Sequence, residues 1–257
     1  MDCKEREHLL YFALNFRTMF GISTFCLHKL PLSEALEDLI PLTDYIEIMD
    51  EGLHYLHSAE PLMSYSTRFS IHAPSRGTNI ASLLEPIRRA SIEVIQQCFL
   101  IAAEVNAGVV VHPGYFAWAE ERAKAQRQLV TSLSDLTALG QEYSVPFFIE
   151  NMGNWNYFFL KTPDELFLIG DTPFALDVGH AHQNRCLPEF LQFPAAHYHL
   201  HDNNGKEDSH VAVGEGTIDF GPVMKAIRKN KVTPVIEVAT LEGVHKSIRI
   251  LSRILPI

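Results

Sequence analysis

Between His199 and His210 the chain carries six carboxylate or imidazole side chains in twelve residues: His199, His201, Asp202, Glu207, Asp208 and His210. Residues two apart on a strand point to one face, so His199 and His201 form a pair, and Asp208 and His210 repeat the spacing beyond a polar turn. Imidazole and carboxylate at short range is ligand chemistry for zinc, manganese or iron. Taken alone, the stretch reads equally as a solvated loop with extra histidines. What the other polar residues do decides between the two.

The elements that must hold these residues follow from the apolar pattern. Strands are expected at 20–24, 45–49, 68–72, 109–112, 146–150, 174–177, 196–200 and 234–238, where short β-branched and aromatic runs are bounded by turn residues. Helical spacing falls at 33–40, 83–106, 119–143, 188–193, 221–229 and 244–254. Thr162–Pro163–Asp164–Glu165 has the form of a helix start, with Thr as cap, Pro first and Glu three residues on. Asp219 is placed to cap the helix after it. Strand and helix alternate with no linker or composition break, which predicts a parallel sheet. Eight such units predict one α/β domain, a single (β/α)8 TIM barrel over residues 19–257. Residues 1–18 read as an N-terminal extension, with a short helix possible over Leu9–Leu14 and Phe16. An open doubly wound sheet is the competing fold, but no glycine-rich phosphate loop follows the first strand.

In such a barrel the site lies at the C-terminal ends of the strands. Strand three ends in His72, four in His112, five in Glu150, six in Asp177 and seven in His199, and strand eight reaches Glu237. A single strand-end His or Glu is ordinarily a satisfied structural group. Six in succession are not, and a buried ring of acids and imidazoles is costly without a cation. A bound divalent metal is the simplest resolution. His180, three residues after Asp177, extends the set.

Composition bounds the remaining possibilities. The chain has 257 residues, 47% hydrophobic and 20% charged, as ordinary globular proteins do. A formal net charge of -10 disfavours duplex DNA as a partner. Cys3, Cys26, Cys98 and Cys186 show no CxxC spacing and read as free thiols of a reducing compartment. With no membrane-length apolar run and no signal-peptide pattern, a cytoplasmic location is expected.

Phe69–Pro74 (FSIHAP), Val110–Gly114 (VVHPG), Phe148–Asn151 (FIEN), Ala175–His180 (ALDVGH), His199–Asp202 (HLHD), Asp208–His210 (DSH), Gly214–Ile218 (GEGTI) and Val235–Val238 (VIEV), in this order, resemble the xylose isomerase-like TIM-barrel superfamily. It includes sugar isomerases and epimerases and the endonuclease IV-like proteins. The epimerase-like pattern implies one metal on Glu150, Asp177, His199 and Glu237. The endonuclease IV-like pattern implies up to three, adding His72, His112, His180, Asp208 and His210. All nine positions are filled. The aromatic wedge that the DNA-repair members carry after the strand-three His is replaced by Ala73–Pro74–Ser75–Arg76, which cannot push into a base stack.

The resemblance thus implies a metal-dependent isomerase or epimerase of a small sugar or sugar phosphate, with Glu150 and Glu237 moving a proton through an enediolate. One to three ions are expected, zinc or manganese foremost. Arg76, Asn151, Trp155, His182, His201 and Lys206 are the expected substrate contacts. The alternative is an endonuclease IV-like zinc phosphodiesterase acting at abasic sites. No membrane partner is expected, and a homo-oligomer is left open.

Overall fold

The computed structural model describes residues 19–254. The expected extension, with its helix at Leu9–Phe16, lies outside them. Eight parallel strands close into a barrel in sequence order: β1 (Gly21–Ser23), β2 (Tyr45–Met49), β3 (Arg68–His72), β4 (Gly108–Val111), β5 (Phe147–Glu150), β6 (Phe174–Asp177), β7 (His197–Leu200) and β8 (Val235–Ile236). The ring is completed by β1, which pairs with both β2 and β8. Around it lie α1 (Leu32–Leu39), α2 (Glu60–Met63), α3 (Glu85–Val105), α4 (Arg122–Tyr143), α5 (Val178–Gln183), α6 (Leu187–Phe190), α7 (Phe220–Asn230) and α8 (Leu241–Ile254).

The strands are short and apolar because both faces are covered. In β7 the alternation is explicit. Tyr198 points outward, where Asn230 at the end of α7 donates to its hydroxyl at 2.6 Å. His197 and His199 point inward. Outside the barrel, Leu32, Leu36 and Leu39 of α1 are buried at helical spacing. Phe99 of α3 packs on Phe147 of β5 with ring centroids 5.6 Å apart. Asn106 ends α3 in the left-handed conformation, which Asn adopts at low cost. Asp219 caps α7 through Gly221 N–H at 2.9 Å, as the sequence predicts. Cys26, Cys98 and Cys186 are free and buried.

Two expectations need correcting, and one element is new. β4 and β8 stop at Val111 and Ile236, so His112 and Glu237 stand one residue above the sheet. The segment after Thr162 is a 3-10 run over Pro163–Ile169, not an α-helix. Thr162 makes no side-chain cap, and Glu165 turns to the Lys161 N–H at 2.8 Å and to Arg122. Finally, α5 starts directly from Asp177, whose carboxylate accepts the His180 N–H at 2.6 Å. That cap places the His180 ring over the barrel mouth.

Candidate metal centre at the barrel mouth

The centre is built on His199. Its Nδ1 lies 3.4 Å from Glu150 Oε1, 3.7 Å from Glu237 Oε2 and 3.9 Å from Asp177 Oδ2, and it has no hydrogen-bond partner. These four side chains come from β5, β6, β7 and the residue after β8. Ligand atoms at 2.0–2.1 Å around one tetrahedral zinc stand about 3.3 Å apart. Two of the three separations from the orphaned Nδ1 are near that value, and the ligand atoms of His72, His199 and Glu237, and those of Glu150, Asp177 and His180, lie within 4.8 Å of one another. A divalent cation therefore fits the residues present.

Two further groups adjoin the first. On one side, His72 Nε2 and His112 Nε2 lie 3.1 and 3.2 Å from Glu150 Oε2, so the two oxygens of Glu150 face different groups. On the other, Asp208 Oδ2 lies 3.0 Å from His180 Nε2 and 3.3 Å from His210 Nε2. His201 Nε2 stands 3.1 Å from Asp177 Oδ1, and its ring stacks on His210 at 3.8 Å. All nine residues that the resemblance implied as ligands are thus brought together.

The charges reinforce one another. Burial pushes the Glu150 carboxyl up, but the imidazoles of His199 and His112 outweigh it and hold it well below the usual carboxylate range. Burial lowers His199, and Glu237, Glu47 and Glu150 outweigh it and raise it far above the ordinary imidazole value. His180 is raised in the same way, by Asp177 and Asp208. A cluster that holds protons so strongly is one whose protons a cation would replace.

The loop bearing Asp208 and His210 is clamped to the barrel. Asp202, fully buried, accepts the N–H groups of Asn203, Gly214 and Ile218 at 2.9, 2.9 and 3.2 Å. Asn203 Nδ2 donates to the Gly179 carbonyl at 3.0 Å. Gly179 must lack a side chain, since a Cβ there would sit 2.0 Å from the His201 ring.

The mouth holds an inner chamber of about 280 Å³, onto which Glu150, Glu237, His72 and His210 open. An outer chamber of about 640 Å³ is rimmed by Tyr115, Trp155, Arg76 and Lys206. Arg76, Trp155 and Lys206 therefore lie where substrate contacts were expected. Three others do not. Asn151 is fully buried, and both ends of its amide are bonded to the Asp177 backbone, at 2.7 and 2.9 Å. His201 is buried beneath the chamber floor against Asp177. His182 is turned to the Thr217 hydroxyl at 2.9 Å. Glu207 lines the outer chamber and joins no ligand group among the described residues.

Sequence reasoning missed Glu47 and His197. Glu47 Oε1 lies 2.6 Å from His199 Nε2, and its Oε2 lies 2.9 Å from His197 Nε2. The available signal was Glu47 as the lone acid in the apolar β2, and His197 two residues before His199.

Comparison with known proteins agrees with this architecture. Residues 59–252 match the xylose isomerase-like TIM barrel family model, and the chain belongs to that family. It is 33% identical over 214 residues to the uncharacterized protein MJ1614 of Methanocaldococcus jannaschii, covering 80% of this chain and 85% of that one. Among solved structures, a D-tagatose 3-epimerase-like protein superposes with a TM-score of 0.85 at 29% identity, over 92% of this chain and 97% of that one. IolI, solved with a zinc atom, has the same fold, with a TM-score of 0.77 at 18% identity over 93% and 100% of the two chains. No described helix is long and apolar enough to cross a membrane.

Proposed function

We propose that the protein is a divalent-metal-dependent isomerase or epimerase of a small sugar or sugar phosphate. The observation that carries this reading is that Glu150 and Glu237 lie 3.4 and 3.7 Å from the unpartnered His199 Nδ1 and both line a chamber of about 280 Å³. That volume suits one small polar molecule. The likeness to a D-tagatose 3-epimerase-like protein supports the same class.

Glu150, Asp177, His199 and Glu237 would hold a divalent cation, which would supply Lewis-acid polarisation of a carbonyl and so acidify the adjacent carbon. The protein does the rest. Glu150, buried at the mouth beside His199, accepts a proton from that carbon. Glu237, three strands away around the barrel, faces the chamber to deliver one. Delivery to the opposite face of the same carbon gives epimerisation, and delivery to its neighbour gives isomerisation. Asp177 is held in place by His201 and by the Asn151 amide.

Incubating the metal-loaded protein with a panel of ketoses and their phosphates in D2O tests this reading. Deuterium is expected at the carbon next to the carbonyl, with loss of exchange in Glu150→Gln and Glu237→Gln. No exchange with any member of the panel counts against it.

One observation favours a second reading, phosphodiester hydrolysis: the nine ligands form three adjoining groups, with Glu150 shared between two. Cations in such groups supply an activated water and neutralise a leaving oxygen. The net charge of -10 and the Ala73–Arg76 segment after His72 weigh against a duplex substrate. Cleavage of an abasic-site duplex, lost in Glu150→Gln, would select this reading.

A further inference from the structure

His199 differs from the other imidazoles of the mouth in which nitrogen it presents. His72, His180 and His210 each give Nδ1–H to a backbone carbonyl, that of Ala73 at 3.0 Å, Asn151 at 2.9 Å and Glu237 at 2.9 Å. A carbonyl only accepts, so each of these rings keeps Nε2 free for the carboxylate side. His199 is reversed. Its Nδ1 faces Glu150, Asp177 and Glu237, and the nitrogen behind it, Nε2, has Glu47 at 2.6 Å.

We propose that Glu47 is the positioning residue of the metal centre. Its carboxylate accepts a hydrogen bond from the Nε2–H of His199, which fixes the tautomer and aims the Nδ1 lone pair at the cation, as the three backbone carbonyls do for the other rings. Glu47 is itself held from two sides. Ser70 donates to its Oε2 at 2.8 Å, and His197 Nε2 lies 2.9 Å from the same oxygen. All of these side chains are buried in the barrel, below the chambers.

A different use of the same residues, a second cation between Glu47, His197 and His199, is disfavoured by distance. Ligands of one zinc stand about 3.3 Å apart. The carboxylate–imidazole separations here are 2.6 and 2.9 Å, which is hydrogen-bond spacing, although the two Nε2 atoms themselves stand 3.2 Å apart.

This inference rests on the mouth binding a cation, and the test separates the two. Metal-stripped wild type and Glu47→Gln are titrated with cobalt(II), read by its visible absorption, and with zinc by competition against a chromophoric chelator. Circular dichroism and the metal-free melting temperature report the fold. Glu47→Gln is expected to stay folded, bind either ion about 10- to 100-fold more weakly and show an altered cobalt spectrum. A folded variant with affinity within about two-fold of wild type overturns the inference while leaving the metal centre standing. Wild type that binds neither ion overturns both. Should Glu47→Gln not fold, Ser70→Ala carries the test, since it frees Glu47 without touching His199. Affinity lowered about three-fold or more supports the role, and unchanged affinity overturns it.

Discussion

His199 Nδ1 and Glu150 Oε1 stand 3.4 Å apart at the mouth of the barrel, both buried, and the imidazole nitrogen has no hydrogen-bond partner. In a core an orphaned polar atom costs about 1–3 kcal/mol. Here it marks the point where the strands' ionisable ends converge. Four consequences can be measured.

The first concerns pH. In the metal-free protein, burial lowers His72 and His210, but their bonds to Glu150 and Asp208 outweigh it and push both up to about 9. A raised folded value gives stability that is fully present below the unfolded value of about 6.5 and is lost as pH rises through about 9. Chelator-treated protein is therefore expected to melt at a lower temperature near about pH 9.5 than near about pH 7. Cation binding has the opposite sign, because the ligands must shed those protons, so the thermal increment from added metal grows over the same window. Scanning calorimetry with and without chelator reads both. A metal-free melting temperature that rises across the window contradicts the account.

The second concerns Gly179. It lies in α5, where helix propensity favours Ala over Gly by about 1 kcal/mol. A Cβ there would meet the His201 ring at 2.0 Å and push it from Asp177. Overpacking costs about 1–3 kcal/mol, and losing a charged hydrogen bond about 1.5–3. The clash wins, and Gly179→Ala is expected to lose about 2–4 kcal/mol in urea denaturation. A neutral or stabilised variant would show that His201 is not fixed as described.

The third concerns Asp202, grouped with the metal-capable residues by its place in the sequence. Its carboxylate is used up by three backbone N–H groups of the following loop. Asp202→Ala leaves the Asn203 and Ile218 N–H groups buried without an acceptor, while that of exposed Gly214 can turn to water, with an expected loss of about 2 kcal/mol or more. Because that loop carries Asp208 and His210, metal content is expected to fall along with stability. Unchanged stability would argue for a direct ligand role instead.

The fourth separates substrate contact from metal binding. Trp155 is half-exposed on the outer rim, edge-on to Tyr115 at 5.5 Å and Phe158 at 4.8 Å. Under the sugar reading it packs against the substrate, and Trp155→Ala is expected to raise KM roughly five-fold, about 1 kcal/mol, with cation affinity unchanged. Steady-state kinetics beside a metal titration tests the split, and an unchanged KM removes Trp155 from the site.

The barrel was legible because each strand is an apolar run ending in a turn, and the ligands were legible because strand ends can be counted. Glu150, Asp177 and His199 fall at ends that any reading of the apolar runs would find. Glu47 was not legible. An acid in Tyr45–Met49 reads as an outward-facing residue until the closed barrel brings β7 across from β2. His197 was hidden by the pairing of His199 with His201. Asn151 looked like a substrate contact because it follows Glu150 into the mouth, yet the register of β5 on β6 turns its amide to the Asp177 backbone. In the 3-10 run after Thr162, Glu165 pairs with Arg122, a distant residue, rather than with the cap. For Glu47, Asn151 and Glu165 the deciding partner is remote in sequence, and spacing along the chain does not name it.

The convergence on a cation is tested most directly by elemental analysis of protein reconstituted with zinc and then desalted, wild type beside Glu150→Gln. The account predicts at least one zinc retained per wild-type chain and a clear loss in the folded variant. Wild type that retains no more zinc than Glu150→Gln contradicts it.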